Sequence, residues 1–257
     1  RLFTSVLFAC LLPFMVQAQQ AVFRFAQLTD IHLSPNNPNP TKDLLRSIAQ
    51  INATDSIDFV LVTGDIAEEG DRTMEKVKSC LDLLKVKYYV ALGNHETKWS
   101  DSGCTAFGEI FGGERFEFEH KGFLFLGFNS GPLMRMAYGH VVPQDIRWMT
   151  ETMERYNAGN SWPDKPVILV THYPMTEGDV DNWYEVTDAV RPYNIRLFIG
   201  GHYHRDRDLR YDGIPGILMR SNLRDKDEKP GYGIYEITED SIHNVSESRK
   251  NNGQVSP

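Results

Sequence analysis

The sequence predicts an α/β fold: a largely parallel sheet built from βαβ units, with antiparallel strands late in the chain adding a mixed second sheet packed on the first. Three observations predict it. Apolar, β-rich runs recur at 22–28, 59–62, 88–92, 123–128, 167–170 and 196–199. Helix-spaced apolar stripes fall between several of them, which is the pattern of βαβ units. From Arg207 to Ser246 the pattern changes to short alternating strands with turn signals at Asp212-Gly213 and Gly231.

The helical stripes are explicit. Leu44, Leu45, Ile48 and Ile51 repeat at helical spacing, as do Met74, Val77, Leu81 and Leu84, and again Ile146, Met149, Met153 and Tyr156. At 257 residues, 41% hydrophobic and 24% charged, the chain has the make-up of an ordinary globular protein. It shows no internal repeat and no low-complexity tract. One domain is expected over 21–246, followed by a polar tail or linker at 247–257.

A net charge of −8 argues against a nucleic-acid-binding surface held by a general basic field. Residues 1–18 have the layout of a signal peptide: Arg1, an apolar run from Val6 to Val16, then the small-residue site Val16-Gln17-Ala18. A membrane anchor is the alternative, but the run is short for one and Pro13 interrupts it. Cleavage near Ala18, export to the periplasm or outside the cell, and no stable membrane anchor afterwards are therefore expected. Cys80 follows Val77 on a helical apolar stripe, so a buried free thiol is expected there rather than a disulfide with Cys104.

The chemistry lies where the strands end. The first run ends in Thr-Asp-Ile-His with Asp30 and His32, and the second in Thr-Gly-Asp with Asp65. The third ends in Gly-Asn-His-Glu, giving Asn94, His95 and Glu96. Next come Thr-His-Tyr-Pro with His172, and Gly-Gly-His-Tyr-His with His202 and His204. Asp and Asn are common turn and cap residues, so each site alone has an ordinary explanation. Their conjunction at five strand ends does not, because that edge of an open α/β sheet is where ligands bind. Imidazole and carboxylate donors without thiolates suit manganese, iron or zinc.

In this order, D-x-H, G-D, G-N-H-E, a single H and G-H-x-H resemble the calcineurin-like metallophosphoesterase superfamily. The resemblance implies a four-layer α-β-β-α sandwich of two mixed sheets flanked by helices, with two metal ions at the C-terminal strand edge. By motif, one ion would take Asp30, His32, Asp65 and His204. The other would take Asp65, Asn94, His172 and His202, with Asp65 bridging. The implied reaction is hydrolysis of a phosphomonoester or phosphodiester by a bridging hydroxide. His95 would stand at the leaving oxygen as general acid or transition-state stabiliser. Glu96 is either its orienting partner or a solvated loop carboxylate.

The sequence also departs from two branches. Ile66, Ala67 and Glu68 stand where purple acid phosphatases carry a tyrosine ligand, and "GDIAEEG" lacks the Asp-Arg pair of the Ser/Thr phosphatases. The pattern is closer to the cyclic-nucleotide-phosphodiesterase-like and general phosphoesterase branches. The expected partner is a small phosphate ester. Nucleotide pyrophosphate hydrolysis, cleavage of phospholipid headgroups, and a non-catalytic scaffold are the alternatives. On the stretch 129–142, Arg135 could grip a phosphate and Tyr138 could stack on a base or aryl group, with His140 beside them; the same stretch also fits an ordinary surface loop.

Overall fold

A computed structural model describes residues 23–133, 136–159, 165–223, 231–238 and 241–245. The expected signal peptide at 1–18, Arg135 and the tail at 247–257 lie outside these. In chain order the elements are β1 (Phe23–Leu28), α1 (Asn39–Ala53), β2 (Phe59–Thr63), α2 (Met74–Leu81), β3 (Lys87–Ala91), α3 (Asn94–Lys98) and α4 (Thr105–Phe111). A hairpin β4 (Phe116–His120) and β5 (Phe123–Gly127) leads to α5 (Pro143–Asn157), β6 (Val167–Val170), α6 (Trp183–Val190) and β7 (Ile195–Gly200). The chain closes with β8 (Arg207–Tyr211), β9 (Ile214–Leu218), β10 (Gly233–Ile237) and β11 (Ile242–Asn244).

Two mixed sheets result, in the orders β11-β10-β1-β2-β3 and β4-β5-β6-β7-β9-β8. Strand periodicity explains how they stack. Phe25, Phe59 and Leu61 of the first sheet face Phe125, Ile168 and Leu197 of the second. The alternate residues Ala26, Val60 and Val62 meet Leu44 and Ile48 of α1 and Val77 of α2. On the far side, Leu126, Leu169 and Phe198 meet Met149 and Met153 of α5 and Val186 of α6. Three apolar seams between four layers give the α-β-β-α sandwich. Among the described residues, no helix is long and apolar enough to cross a membrane.

The tail after Arg207 is distributed differently from expectation. Only β8 and β9 join the second sheet, with the expected turn at Asp212 and Gly213, both at positive φ. β10 and β11 cross to the first sheet, where β10 pairs antiparallel with β1, Phe23 opposite Ile237. The reason is room on the edge: β1 pairs parallel with β2 on one side and leaves its other side for β10. The β4–β5 hairpin was not expected either. Its signal is the Phe116/Phe118 alternation before a Lys121-Gly122 turn, again with φ positive at both residues. Cys80 and Cys104 are both free and buried.

Candidate metal centre

The parallel strands β1, β2 and β3 end side by side, and their loops stay zipped beyond the sheet. Asp30 donates its N–H to the Gly64 carbonyl at 3.0 Å, and His32 donates to the Asp65 carbonyl at 3.0 Å. Five of the seven expected ligands have left-handed backbone: Asp30 (φ 51), His32 (48), Asp65 (50), His202 (74) and His204 (54). Such conformations cost of order 1–3 kcal/mol each in non-glycine residues and persist where the surroundings hold them. The neighbouring glycines supply the hold. A Cβ on Gly201 would lie 2.0 Å from Thr29 Oγ1 and 2.5 Å from Asp30 Oδ2. Without one, the His202 N–H reaches Asp30 Oδ2 at 3.1 Å. Gly93 packs as closely on Asp65, and the next-but-one N–H, that of His95, donates to Asp65 Oδ1 at 2.9 Å.

Two imidazoles are aimed from outside. His172 Nδ1 meets the Thr63 carbonyl at 2.7 Å, and His32 Nδ1 meets Glu68 Oε2 at 2.8 Å. Because those partners are acceptors, each Nδ1 carries the proton and each Nε2 is turned inward as a donor for a cation. His172 Nε2 lies 3.1 Å from Asn94 Oδ1 and 3.2 Å from Asp65 Oδ2. His32 Nε2 lies 3.2 Å from His204 Nε2 and 3.8 Å from Asp65 Oδ2.

The donors form overlapping groups whose ligand atoms lie within 4.8 Å of one another: Asp30, His32 and His204; and Asp65, His172 and His202. A third group joins His32 and Asp65 to His95. Whether they fit metal ions is tested by Asp30. This carboxylate is fully buried, and its Oδ1 has no hydrogen-bond partner although His204 Nε2 is 3.2 Å away. A buried orphan oxygen facing imidazole nitrogens is costly unless a cation joins them. The residues fit.

Charge states agree with that. Burial works to raise the Asp65 carboxyl, but His172 beside it holds it well below the usual range. Burial likewise opposes charge on His172, and Asp65 and Asp30 overcome it, so its imidazole is pushed up to about 10. Burial and the nearby His172 push His202 down to about 4, leaving a neutral ligand.

His95 sits beside this cradle with its ring edge-on to His32, centroids 4.6 Å apart. Its Nδ1 contacts the Glu68 carbonyl at 2.9 Å, and the Glu68 carboxylate is 4.0 Å away. Glu96 has a different place from either expectation. It is fully buried, and its two oxygens accept the N–H groups of Ala67 at 3.0 Å and Gly93 at 2.8 Å. It staples the β2 loop to the β3 loop, so the contact expected of it on His95 comes from Glu68. Burial, with Asp65 nearby, pushes its carboxyl up to about 7.

The stretch after β5 divides. Ser130 accepts the Tyr173 N–H at 3.1 Å, and a Cβ on Gly131 would lie 2.5 Å from Thr97 Oγ1, so the stretch starts against the site. His140 pairs through Nδ1 with Asp181 at 2.7 Å, and Tyr138 is half exposed. His140 thus braces the loop against the segment after β6. Two further residues were missed in the sequence. Glu68 lies three positions after Asp65 in a stretch marked only by what it lacks. Asp179, nearly buried, accepts the Tyr203 hydroxyl at 2.6 Å and so steadies the residue between the two histidines. No motif announces it.

Two facing sheets with a His/Asp cradle at the C-terminal edge of their parallel strands define a metal-dependent class of α/β domain. The model of the calcineurin-like phosphoesterase family matches residues 23–206, and the chain belongs to that family. "Uncharacterized protein YvnB" of Bacillus subtilis is 26% identical over 205 residues, 69% of this chain but 15% of that protein, so the chain spans a small part of that relative. Solved structures share the fold. A dimetal phosphatase from Danio rerio superposes with TM-score 0.68 at 15% identity, covering 88% of this chain and 96% of its own. GAP50, described as the anchor in the inner membrane complex of Plasmodium, gives 0.61 at 11% identity, covering 92% and 87%. A putative 5'-nucleotidase from Staphylococcus aureus gives 0.54 at 12%, covering 86% and 53%.

Proposed function

We propose that the chain is a hydrolase of phosphomonoesters or phosphodiesters that works with two transition-metal ions, manganese, iron or zinc. The observation that carries this is the pair of donor groups flanking the orphan Asp30 Oδ1 and the shared Asp65. Asp30, His32, Asp65 and His204 would hold one ion, and Asp65, Asn94, His172 and His202 the other. Bound there, the ions supply Lewis-acid polarisation of a phosphoryl oxygen and a lowered pKa for water.

The chain's own residues supply the rest. The Glu68 carbonyl can only accept, so His95 Nδ1 is the donor of that contact and Nε2 is the atom left for substrate. Nε2 carries a proton when the ring is cationic, and the Glu68 carboxylate at 4.0 Å supplies the counter-charge. His95 is then placed to deliver a proton to the departing alkoxide. Glu96 keeps the loops of Asp65 and Asn94 in register without touching the reaction.

Two measurements test this. Elemental analysis of protein saturated with manganese, iron or zinc should give about two ions per chain. A plateau at one or below overturns the dinuclear reading. His95→Ala should lose about 10²–10⁴-fold in kcat/KM on alkyl esters, distinctly less on nitrophenyl esters, and no metal. Equal losses on both overturn the leaving-group role. We also propose export with cleavage near Ala18, on the strength of the charged start and interrupted apolar run. Uncleaved protein recovered from the cytoplasm when the sequence is expressed behind a start codon would overturn it.

A further inference from the structure

Folded proteins scatter single exposed apolar side chains over their surface, and those need no explanation. Here they are not scattered. Trp99, Leu133, Met136, Tyr138, Tyr184 and Tyr203 are large apolar residues between 38% and 52% exposed. All stand on connections or helix starts that follow the C-terminal ends of β3, β5, β6 and β7, the edge that carries the cradle. Among the described residues only Leu45 and Leu83 are comparably exposed elsewhere.

Three of the six are drawn to one segment. Tyr138 precedes Gly139, whose N–H donates to the Asp179 carbonyl at 2.7 Å, and Gly139 forms a parallel bridge with Val180. Tyr203, which separates the ligand candidates His202 and His204 in sequence, donates its hydroxyl to the Asp179 carboxylate at 2.6 Å, and its ring lies 5.8 Å from that of His202. Tyr184 stands four residues beyond Val180, at the start of α6. Asp179, on which two of these residues converge, has its carboxylate 3.9 Å from His202 Nε2, so the segment lies beside the cradle on the side of the β5, β6 and β7 loops. Two of these loops are held by bonds rather than left loose, as the pair of bonds between Asn182 and the Val141 backbone shows.

We propose that this collar receives the alcohol half of the substrate, and that this half is large, apolar or aromatic, and carries no further negative charge. The proposal rests on the phosphoesterase reading above, which places the phosphate in the cradle. Size argues for a substrate rather than a protein: a stable protein contact takes roughly 20–30 residues a side, and the collar offers a handful. Charge decides the rest. The stretch 173–190 holds Glu177, Asp179, Asp181, Glu185 and Asp188 and no Lys or Arg, and Arg191 just beyond it is shared between Asp188, at 3.1 Å, and Asp212, so the segment keeps an excess of acid. Such a wall repels a second phosphate or carboxylate on the leaving alcohol, and repels an anionic bilayer as well. It does not repel a neutral alkyl chain or aryl ring.

The test is a ladder of n-alkyl phosphates from ethyl to octyl, with phenyl and 1-naphthyl phosphate as an aryl arm, on protein loaded with manganese. Full burial of a methylene is worth about fourfold in affinity, and a collar that covers one side of the chain about half of that effect, roughly twofold per methylene. The expected result is a rise in kcat/KM of about sixtyfold over the six methylenes from ethyl to octyl, a preference for naphthyl over phenyl, or both, the two arms distinguishing an alkyl from an aryl source. Tyr138→Ser and Tyr184→Ser, each made separately, should lower the octyl-to-ethyl ratio by at least twofold. A flat alkyl ladder with no preference for naphthyl over phenyl in the unaltered protein overturns the proposal, and so does a rising ladder that neither substitution lowers. If no ester is turned over, nitrophenyl phosphate included, with two ions bound, the phosphoesterase reading falls and this one with it. Good turnover with neither arm showing a preference removes this one alone.

Discussion

Gly201→Ala is the substitution for which the structure gives the most definite cost. The added methyl would lie 2.0 Å from Thr29 Oγ1 and 2.5 Å from Asp30 Oδ2, well inside contact distance. Neither neighbour is a flexible surface end. Both are fully buried, and the Thr29 hydroxyl donates to Asp30 Oδ2 at 2.7 Å. Overpacking of this kind costs about 1–3 kcal/mol. If Thr29 turns away to make room, Asp30 loses a hydrogen bond and a further 1–3 kcal/mol or so. The expected total is about 2–6 kcal/mol in urea unfolding of the metal-free protein. Metal affinity should fall too, because Asp30 is the displaced group. Gly178→Ala is the control: nothing lies within 4 Å of its added methyl, so it should stay within about 0.5 kcal/mol of the parent. Thr29→Ala combined with Gly201→Ala should cost at least about 1 kcal/mol less than the sum of the two, since the nearer of the two atoms struck is gone. If Gly201→Ala is as mild as the control, the close approach does not hold Asp30 in place and the reasoning fails.

Three other substitutions or conditions follow from the same geometry. Glu96→Gln turns an amide NH₂ toward one of the two N–H groups the carboxylate accepts, and should destabilise by about 1–3 kcal/mol; an unchanged urea midpoint would refute the staple. Glu68→Ala removes the half-exposed acceptor on His32 Nδ1, so metal affinity should fall roughly 10–100-fold by calorimetric titration while saturation still reaches two ions. No loss of affinity would show that Glu68 does not orient the ring. The third concerns pH. His172 is pushed up to about 10 in the fold, above its ordinary 6.5, so it stabilises the metal-free protein fully below pH 6.5 and progressively less toward pH 10. Metal ligation needs the neutral ring, so a saturating metal should remove that decline and metal affinity should rise across the same window. Metal-free stability that is level or rising from pH 6.5 to 9 would contradict the Asp65–His172 pair.

The strand ends were legible because two local signals coincide there: an apolar β run stops, and a donor follows within four residues. Asp30, Asp65, His95, His172 and His202 all announce themselves in this way. The five left-handed backbones were not legible, because non-glycine residues rarely adopt them, and only tertiary contacts such as Gly201 against Thr29 enforce them. Glu96 misled for a related reason. Its neighbour in sequence is His95, but its partners in space are backbone N–H groups of two loops. The partition of the last strands was equally hidden. β10 and β11 look alike to β8 and β9 in pattern, and only the open edge of β1 decides where the first pair goes.

That last pairing has a consequence for how the protein is made. β1 is among the first described residues to leave the ribosome, and its partner β10 is among the last. Tyr235 stacks on Phe25 with centroids 4.9 Å apart and donates its hydroxyl to Gln27, 208 positions earlier. At 5–20 residues per second, about 10–40 s of synthesis separate the two strands. Throughout that interval β1 offers the nascent chain's surroundings a bare hydrogen-bonding edge flanked by phenylalanines, the kind of template on which strands of other molecules assemble. The first sheet can therefore close only after β10 has left the ribosome, and until then the chain depends on whatever keeps neighbouring polypeptides away.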